Sequence, residues 1–397
     1  MNGAPDYDLT APETFRAHSL PAMWSQVRQV APVFWHPYKD TGFWVVSRYD
    51  DVVAVYRDST NFTSERGSVL DVLLSGGDSA GGRMLAVTDG ARHRAIRKVM
   101  TRFFTPAQLS LIAPSIRDRT RRVVAEALAR ETVDFSTDVA DRLPIEAICD
   151  LMAIPEADRP HLLACNKAAL SSDERDATAL DAVSARGEIL YYLSELVARR
   201  RRDRGDDIVS ALTTAQVDGR PLDDEDLALN CYSLILGGDE STRMSAGTGA
   251  VAFARWPDEW KRLRLAGSVE PAVEEVLRWS TPSMHFARTA TADVRVRDQT
   301  VRKGDVVTLW NTSANLDETQ FPDPERFDTA RDPNDHVTFG QGRHYCLGAL
   351  MARLELRCLL AAMREQIAAM ELLSEPRQVY STFLFGYSSA PMRLVAA

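Results

Sequence analysis

The ten residues from Phe339 to Gly348, Phe-Gly-Gln-Gly-Arg-His-Tyr-Cys-Leu-Gly, constrain the fold of this chain more than any other stretch. Glycine tolerates positive φ and lets another group approach the backbone closely, so Gly340 and Gly342 predict a tight loop. Gly348 predicts a helix start that packs closely against a large, planar group. Cys346 stands at the opening of that helix, where free N–H groups and nearby cations favour a thiolate. The stretch therefore predicts a rigid loop that offers a metal cofactor one sulfur ligand.

Three other interpretations of this loop compete with a cofactor ligand. A free cysteine in a glycine-rich turn is most often a buried structural residue, and Cys149, Cys165, Cys231 and Cys358 are predicted to be of that kind. A zinc site needs four N or S ligands in paired spacings, and the sequence has no Cys-x-x-Cys. A dinucleotide loop needs a third glycine where Tyr345 stands and a βαβ frame, which the sequence does not predict.

Composition excludes some classes of partner. The chain has 397 residues, 45% of them hydrophobic, which is enough for one large domain or two. A formal charge of −9 argues against a nucleic-acid partner. Five cysteines without paired spacing favour a reducing cytoplasm. The acidic, polar start predicts no signal peptide, and no run of about 18 apolar residues predicts a membrane span.

Most of the chain has helical periodicity, and β-like stretches are few. Helices are predicted at 50–58, 91–103, 108–130, 141–151, 178–203, 224–255, 269–279 and 347–368. Short strands are predicted at 43–48 and around 293–309. Residues 63–88 are rich in glycine and serine and predict a long loop, which inside a compact domain tends to be functional.

The ten-residue loop resembles the haem-ligand loop of the cytochromes P450, the haem-thiolate monooxygenases, at Phe339, Gly340, Gly342, His344, Cys346 and Gly348. The resemblance covers nearly the whole chain and is to the soluble bacterial members. It implies a mainly α fold, with one large helical domain over 1–397 and a small β subdomain at about 30–60 and 285–315. It also implies haem b, with Cys346 as the iron ligand.

The resemblance further implies a set of haem-propionate contacts. His93 and Arg97 lie four residues apart, so their side chains point the same way on a helix. Arg288 and His344 stand at the matching positions of two other propionate-binding residues. Each of these residues alone would more often be an ordinary surface or core polar group.

A second implied constellation is the Glu-x-x-Arg pair of the family, here Glu275 and Arg278, with Arg326 matching its third member. An exposed helical pair of this kind stabilises a helix by only about 0.3 kcal/mol. A buried triad fixes geometry more than it adds stability, and the resemblance assigns it to holding the loop below the haem.

The predicted helix 224–255 contains Gly237 and Gly238, each of which costs about 1 kcal/mol relative to alanine in a helix interior. Such a pair predicts a local opening of the helix. In the family, an acid and an alcohol that pass protons to bound dioxygen follow this opening, and Gly238 lies against the cofactor. Here they are Glu240 and Ser241, where the family usually has threonine, followed by Thr242. Asp239 is interpreted as a surface or salt-bridge residue.

The substrate pocket is predicted from the resemblance, with core packing as the alternative for each residue. Its candidate residues are Leu234, Gly237, Met284, His285, Phe286, Phe383 and Leu384. The make-up of the chain resembles tailoring oxidases of bacterial natural-product pathways that act on aromatic polyketide units, such as orsellinic acid oxidases of enediyne (calicheamicin) assembly. The substrate is then a small molecule, either free or bound to a carrier protein.

Electrons must come from another protein, because the sequence has no flavin or iron–sulfur motif. The resemblance implies a ferredoxin and its reductase, and Lys98, Arg102 and Arg343 are the predicted docking residues. Two alternatives stay open. One is a peroxide-driven haem-thiolate enzyme without a redox partner, and the other is a non-catalytic haem protein or recruitment module.

Overall fold

The structure is a computed structural model that describes residues 6–170, 179–217 and 219–397. The helices of the first half are α1 Pro12–Ala17, α2 Leu20–Val30, α3 Tyr49–Arg57, α4 Leu70–Leu74, α5 Gly90–Thr101, α6 Pro106–Leu128, α7 Phe135–Asp138, α8 Pro144–Leu151 and α9 Arg159–Leu170. Those of the second half are α10 Ala179–Arg202, α11 Ile208–Thr213, α12 Asp224–Gly238, α13 Glu240–Arg255, α14 Pro257–Leu265, α15 Glu270–Ser280, α16 Asn311–Ala314 and α17 Ala349–Gln366.

The strands form small sheets beside the helices. They are β1 Val33–Tyr38, β2 Thr41–Val46, β3 Phe62–Thr63, β4 Val133–Asp134, β5 Gln216–Val217, β6 Arg220–Pro221, β7 His285–Ala290, β8 Val294–Val296, β9 Gln299–Val301, β10 Val306–Trp310, β11 Ile367–Leu372, β12 Arg377–Gln378, β13 Tyr387–Ser389 and β14 Pro391–Ala396. The largest sheet has the order β1-β2-β10-β7-β3. It joins the two stretches that the sequence predicts as β-rich.

Local sequence explains where the main helices begin. Thr105 caps α6 by accepting a hydrogen bond from the N–H of Gln108, with Pro106 in the first turn. Asp223 caps α12 in the same way through the N–H of Asp226, and three acids occupy its first turn, where the helix dipole favours negative charge. Nearly every side chain of α13 is buried, because this helix passes through the interior between α15, α17 and α7.

Some predicted segments have other bounds or contents in the structure. The predicted loop 63–88 contains the end of β3, helix α4 and a 3₁₀ turn at Leu85–Val87, because Leu70 and Leu85 reach the core and anchor short elements there. The predicted helix 347–368 ends at Gln366, where Ile367 begins to pair with β14. The helix predicted at 178–203 is α10, with residue 178 outside the described residues.

The predicted helix 224–255 divides into α12 and α13 at Asp239, directly after the two glycines. A methyl group at Gly238 would lie 2.4 Å from the Cγ1 atom of Ile148 on α8, so only glycine allows this close packing. The interruption therefore stands where the glycine pair predicts it. Within 6–170, 179–217 and 219–397, no helix has the length and apolar character needed to cross a bilayer.

Candidate active site

The Cys346 loop is held in the tight conformation that its glycines predict. Gly340 and Gly342 have φ values of 67° and 72°. A Cβ atom at Gly342 would lie 2.7 Å from the carbonyl oxygen of Tyr56, so this position admits only glycine. The N–H of Cys346 donates to the carbonyl oxygen of Phe339 over 2.9 Å. Among the described residues, the Cys346 sulfur is the only atom within 4 Å of the place that a Cβ at Gly348 would take, its chain neighbours aside. That sulfur lies at 4.0 Å, so this side of the loop is open.

Two arginines brace the loop from outside. Arg97 donates to the carbonyl oxygen of Tyr345 over 2.6 Å. Arg353 forms a two-bond ion pair with Glu274, at 2.7 and 2.8 Å, donates to the Tyr345 hydroxyl and lies 4.6 Å over the Phe339 ring. Sequence reasoning missed Arg353 and Glu274. Arg353 lies seven residues after Cys346 and about one turn into α17, and this closeness in sequence is the signal that could have pointed to it.

Burial raises the pKa of the Cys346 thiol, while the Gly348 N–H and the charges of Arg97 and Arg353 lower it. Burial has the larger effect, so the expected preference of the loop for a thiolate is outweighed in the protein alone. A bound metal ion deprotonates a coordinating thiol, and the two arginines then stabilise the resulting charge.

Residues from three distant parts of the chain meet beside this loop. His93 on α5 is buried, and its ring lies 4.5 Å from that of His344. His344 Nε2 lies 2.7 Å from Asp89 Oδ1, a partner that the sequence did not predict. Arg288 on β7 is buried with its guanidinium 5.3 Å from the centre of the Tyr56 ring. Asp89 influences the pKa of both His93 and Arg288, which places all of these groups in one cluster.

In this cluster the Asp89 carboxylate pairs with His344, which leaves two other polar groups unsatisfied. Among the described residues, Arg288 has no carboxylate ion pair, and the Nε2 atom of buried His93 has no hydrogen-bond partner. Burial lowers the pKa of His93 to about 4 and also lowers the pKa of Arg288. Burying an unpaired charge is costly, so the arrangement suits a ligand that brings carboxylates. The residues present thus fit a carboxylate-bearing haem next to the Cys346 sulfur.

The interrupted helix offers a second open surface. A methyl group at Gly237 would meet no heavy atom within 4 Å, its own helix backbone aside, whereas one at Gly238 would strike Ile148. The open face is therefore that of Gly237 rather than Gly238. The hydroxyl of Ser241 donates to the carbonyl oxygen of Gly237 over 3.2 Å, which places the predicted alcohol at the interruption.

Glu240 belongs to a buried chain of ion pairs that leads toward the surface. Its carboxylate lies 2.5 Å from Arg243, and Arg243 contacts Asp141 at 3.2 Å. Asp141 in turn pairs with Lys167 on α9, whose side chain is 35% exposed. The predicted acid is thus tied to solvent by three further side chains. The sequence did not identify them, because they come from three separate segments.

The sequence suggested that Asp239 is a surface or salt-bridge residue, and the structure shows that this is wrong. It is 1% exposed, and its Oδ2 atom accepts a hydrogen bond from Asn166 Nδ2 over 2.7 Å. Burial, and next the charge of Glu240, raise the pKa of Asp239 to about 7. On the other side of the interruption, Thr242 bonds to buried Glu355 of α17, whose pKa burial raises well above its usual value.

The raised pKa of Asp239 predicts a pH-dependent stability. Between pH of about 4 and about 7 the folded protein holds a proton on Asp239 that the unfolded chain releases, so rising pH removes stability across this range. Asp239→Asn should therefore gain thermal stability relative to the parent protein between pH of about 5 and about 8. Thermal midpoints across this range measure the effect, and exposed Asp298→Asn is the control. A parallel pH profile for parent and Asp239→Asn would contradict the assignment.

The predicted triad is present with a different third member. Glu275 and Arg278 form a fully buried pair at 2.8 Å. Arg326 is wrong as their partner, because its side chain is 56% exposed and, within the described part of the chain, pairs only with Glu259, at 4.0 Å. Arg331 takes that place, with its Nε atom 3.2 Å from Glu275 and its side chain 8% exposed. Arg278 and Arg331 both donate to the backbone carbonyl of Arg326, so this residue contributes its main chain instead.

The predicted pocket residues divide into two groups. Phe286 and Phe383 keep accessible surface and meet edge to face, with ring centres 5.5 Å apart. Met284 is wrong as a wall residue, because its side chain is fully buried in the apolar cluster around Trp310. His285 is likewise fully buried. Leu234 and Leu384 are 8% and 6% exposed and pack in apolar clusters.

The turn that carries Phe383 is fixed against α13. A Cβ atom at Gly386 would lie 2.4 Å from the Met244 sulfur, and Met244 stands one turn after Glu240. Leu384 and Met244 share one small apolar cluster, with Phe383 packed against it. The C-terminal turn thus reaches the helix that follows the interruption.

Comparison with known proteins places this geometry in a family. Residues 258–366 match the family model "Cytochrome P450". The chain is 41% identical to Cytochrome P450 NovI of Streptomyces niveus over 98% of this chain and 96% of that protein. It is 30% identical to the steroid C26-monooxygenase of Mycobacterium tuberculosis, strain H37Rv, over 97% of this chain and 92% of that protein. The crystal structure of P450 OxyD, involved in the biosynthesis of vancomycin-type antibiotics, superposes with a TM-score of 0.90, at 32% identity over 98% and 100% of the two chains.

The fold and the cysteine loop define a haem-thiolate enzyme. The chain belongs to the cytochrome P450 family, as the relatives at 41% and 30% identity over nearly its full length show. It is accordingly a haem b monooxygenase, and in this family a cysteine thiolate ligates the iron.

Proposed function

We propose that this enzyme inserts one oxygen atom from O₂ into a small aromatic or polyketide intermediate of a natural-product pathway, with electrons from a ferredoxin and its reductase. The observation that carries the proposal is the Cys346 loop, whose side at Gly348 is open beside the sulfur. The open face of Gly237 at the interrupted helix supports it. The likeness to OxyD, a P450 involved in antibiotic biosynthesis, supports the pathway class.

Cys346 is the proposed ligand of the haem iron. When bound, the thiolate-ligated haem activates dioxygen and carries out the oxygen insertion. Phe339, Gly340 and Gly348 shape the loop that aims the sulfur. The proposed propionate contacts are His93, Arg97, Arg288 and His344, and their support is the buried cation and the unpartnered imidazole nitrogen described above.

Proton delivery is assigned to Glu240 and Ser241, with Thr242 beside them. Ser241 holds its hydroxyl at the Gly237 carbonyl, where a donor can face the open space. Arg243 holds the Glu240 carboxylate in place, and Asp141 continues this network of ion pairs to the partly exposed Lys167. The acid–alcohol pair of Glu240 and Ser241 favours a dioxygen-dependent reaction, because a peroxide-driven enzyme needs no such proton delivery.

The substrate is proposed to be aromatic because Phe286 and Phe383 offer the accessible apolar surface among the predicted wall residues. Aromatic rings prefer edge-to-face or offset contact with such side chains. Gly237 leaves room for the substrate at the interrupted helix.

Spectroscopy and turnover test the proposal in sequence. The carbon monoxide complex of the reduced holoenzyme should show the absorption of a thiolate-ligated haem. Binding spectra with aromatic acids and polyketides, each free and carrier-bound, then identify the substrate. With ferredoxin, reductase and labelled O₂, the product should carry one labelled atom. Product formation with peroxide, and none with ferredoxin, would replace the proposal with the peroxide-driven alternative.

Reversing the charge of Arg102 and Arg343 should slow electron transfer. Both residues and Lys98 are exposed, and none of them has an ion pair among the described residues, so they remain available to an acidic partner. Electrostatic steering changes association rates by about tenfold or more. The double variant Arg102→Glu, Arg343→Glu should therefore be reduced by ferredoxin at least about tenfold more slowly at low salt.

The matched control is Lys303→Glu, an exposed charge reversal in the turn between β9 and β10. It should leave the reduction rate unchanged. Reduction by dithionite should be the same in all variants, which separates docking from damage to the haem site. Equal rates of reduction by ferredoxin in the double variant and the parent protein would contradict the proposed docking site.

A further inference from the structure

A cluster of metal-binding side chains lies on α9 and α10, outside the elements that carry Cys346 and the interrupted helix. His161 and Cys165 are four residues apart on α9, so they share one face of that helix. Glu188 reaches them from α10. The Cys165 sulfur lies 3.7 Å from His161 Nε2 and 3.5 Å from Glu188 Oε2, and these last two atoms are 3.6 Å apart. One nitrogen, one sulfur and one oxygen donor thus form a nearly equilateral triangle.

This triangle has the size of one face of a zinc tetrahedron. Zinc binds at about 2.3 Å from sulfur, 2.0–2.1 Å from imidazole nitrogen and 2.0–2.2 Å from carboxylate oxygen. Tetrahedral geometry then separates the donor atoms by about 3.3–3.6 Å. We propose that His161, Cys165 and Glu188 bind a zinc ion, with water as the fourth ligand. The proposal is independent of the monooxygenase reaction.

The surroundings allow both entry of the ion and a fourth ligand. His161 and Glu188 line an open cleft of about 790 Å³, together with Tyr191 and Glu195. The side chains of His161 and Glu188 are 59% and 55% exposed, whereas Cys165 is buried. An ion can therefore reach His161 and Glu188 from the cleft, and the Cys165 sulfur lies 3.7 and 3.5 Å from their donor atoms. Zinc binding releases the thiol proton of Cys165, so affinity should rise with pH.

The ordinary alternative is a surface ion pair between His161 and Glu188 beside an inert thiol. An exposed pair of this kind stabilises a protein by about 0–1 kcal/mol and does not require a cysteine to turn toward it. In this structure Cys165 points to the carboxylate and the imidazole together, and the three donor atoms lie within 4.8 Å of one another. Convergence of three different donors is the feature that zinc binding explains.

Zinc at this position would join α9 to α10 directly. Cys165 immediately precedes Asn166 and Lys167, the side chains that contact Asp239 and Asp141. Occupancy would therefore restrain the part of α9 that supports the interior acids.

Metal analysis of the tag-free holoenzyme tests the site. The protein is dialysed against a chelator and then titrated with zinc chloride, and bound zinc and haem are measured separately. We expect one zinc per chain at micromolar concentrations and a higher thermal midpoint with zinc. His161→Ala and Cys165→Ser should weaken binding by more than the roughly 10–100-fold that loss of an outer-shell partner causes.

Glu195→Gln is the matched control, because Glu195 lines the same cleft but stands outside the triangle. It should bind zinc like the parent protein. Since His161 is exposed, His161→Ala keeps the test decisive even where Cys165→Ser folds poorly. No zinc bound by the parent protein, or the same affinity in His161→Ala, overturns the proposal. Neither outcome affects the assignment of Cys346 to the haem.

Discussion

Arg331→Ala should yield little or no soluble haem-loaded protein, whereas Arg326→Ala should yield nearly the normal amount. Arg331 contacts fully buried Glu275 and donates to the backbone carbonyls of Pro322, Asp323 and Arg326. Removing one partner of a buried charge network costs about 3–5 kcal/mol. Since a whole domain is stable by only about 5–15 kcal/mol, a loss of this size removes a large part of that stability, and the loop that holds the haem site loses its buried anchor.

The exposed side chain of Arg326 is the matched control within the same loop. Its contact with buried Glu259 is long, at 4.0 Å, and its own side chain is exposed, so the pair is worth about 0–1 kcal/mol. Haem content per chain and thermal midpoints of the two purified variants measure the difference. Equal losses in both, or greater loss in Arg326→Ala, would contradict the exchange of roles that the structure assigns.

Glu240→Gln should reduce product formation by about 100-fold while the protein keeps its haem. Positioned acid–base groups contribute about 10²–10⁴-fold to a proton-transfer step, and glutamine cannot pass on a proton in the same way. Folding should survive the change, because Arg243 keeps Asp141 as a partner at 3.2 Å. The expected phenotype is continued electron use with little product, measured as the ratio of product formed to reduced nicotinamide consumed.

Substitution of the neighbouring acid, Asp239, is the control for Glu240→Gln. Asp239→Asn removes an adjacent buried carboxyl that bonds to Asn166 and lies outside the ion-pair chain. It should keep most of the turnover. If Asp239→Asn lost as much product formation as Glu240→Gln, proton delivery would have to be reassigned to Asp239 or to the pair together.

Motifs with strict local geometry were predictable from the sequence. The tight loop before Cys346 follows from glycines that must adopt positive φ, and the interruption of the long helix follows from Gly237 and Gly238. Both depend on backbone conformation within a few residues, which the residue types themselves restrict.

Partnerships between distant segments were harder to predict. Arg331 lies five residues after Arg326 in an irregular loop, and periodicity there does not indicate which side chain turns inward. Met284 and Phe286 stand two apart, yet only Phe286 keeps accessible surface, because the C-terminal turn and the Trp310 cluster enclose Met284. Asp89 and His344 are separated by 255 positions.

The sequence by itself determined the family, the cysteine loop and the site of the helix interruption. Each depends on neighbouring residues whose types restrict the backbone to few conformations. Only the tertiary structure decided which arginine completes the buried triad, that Asp239 is buried with a raised pKa, and that Lys167 links Glu240 to solvent. Burial and pairing of a charge depend on what other segments bring beside it, and that information is distributed over the whole fold.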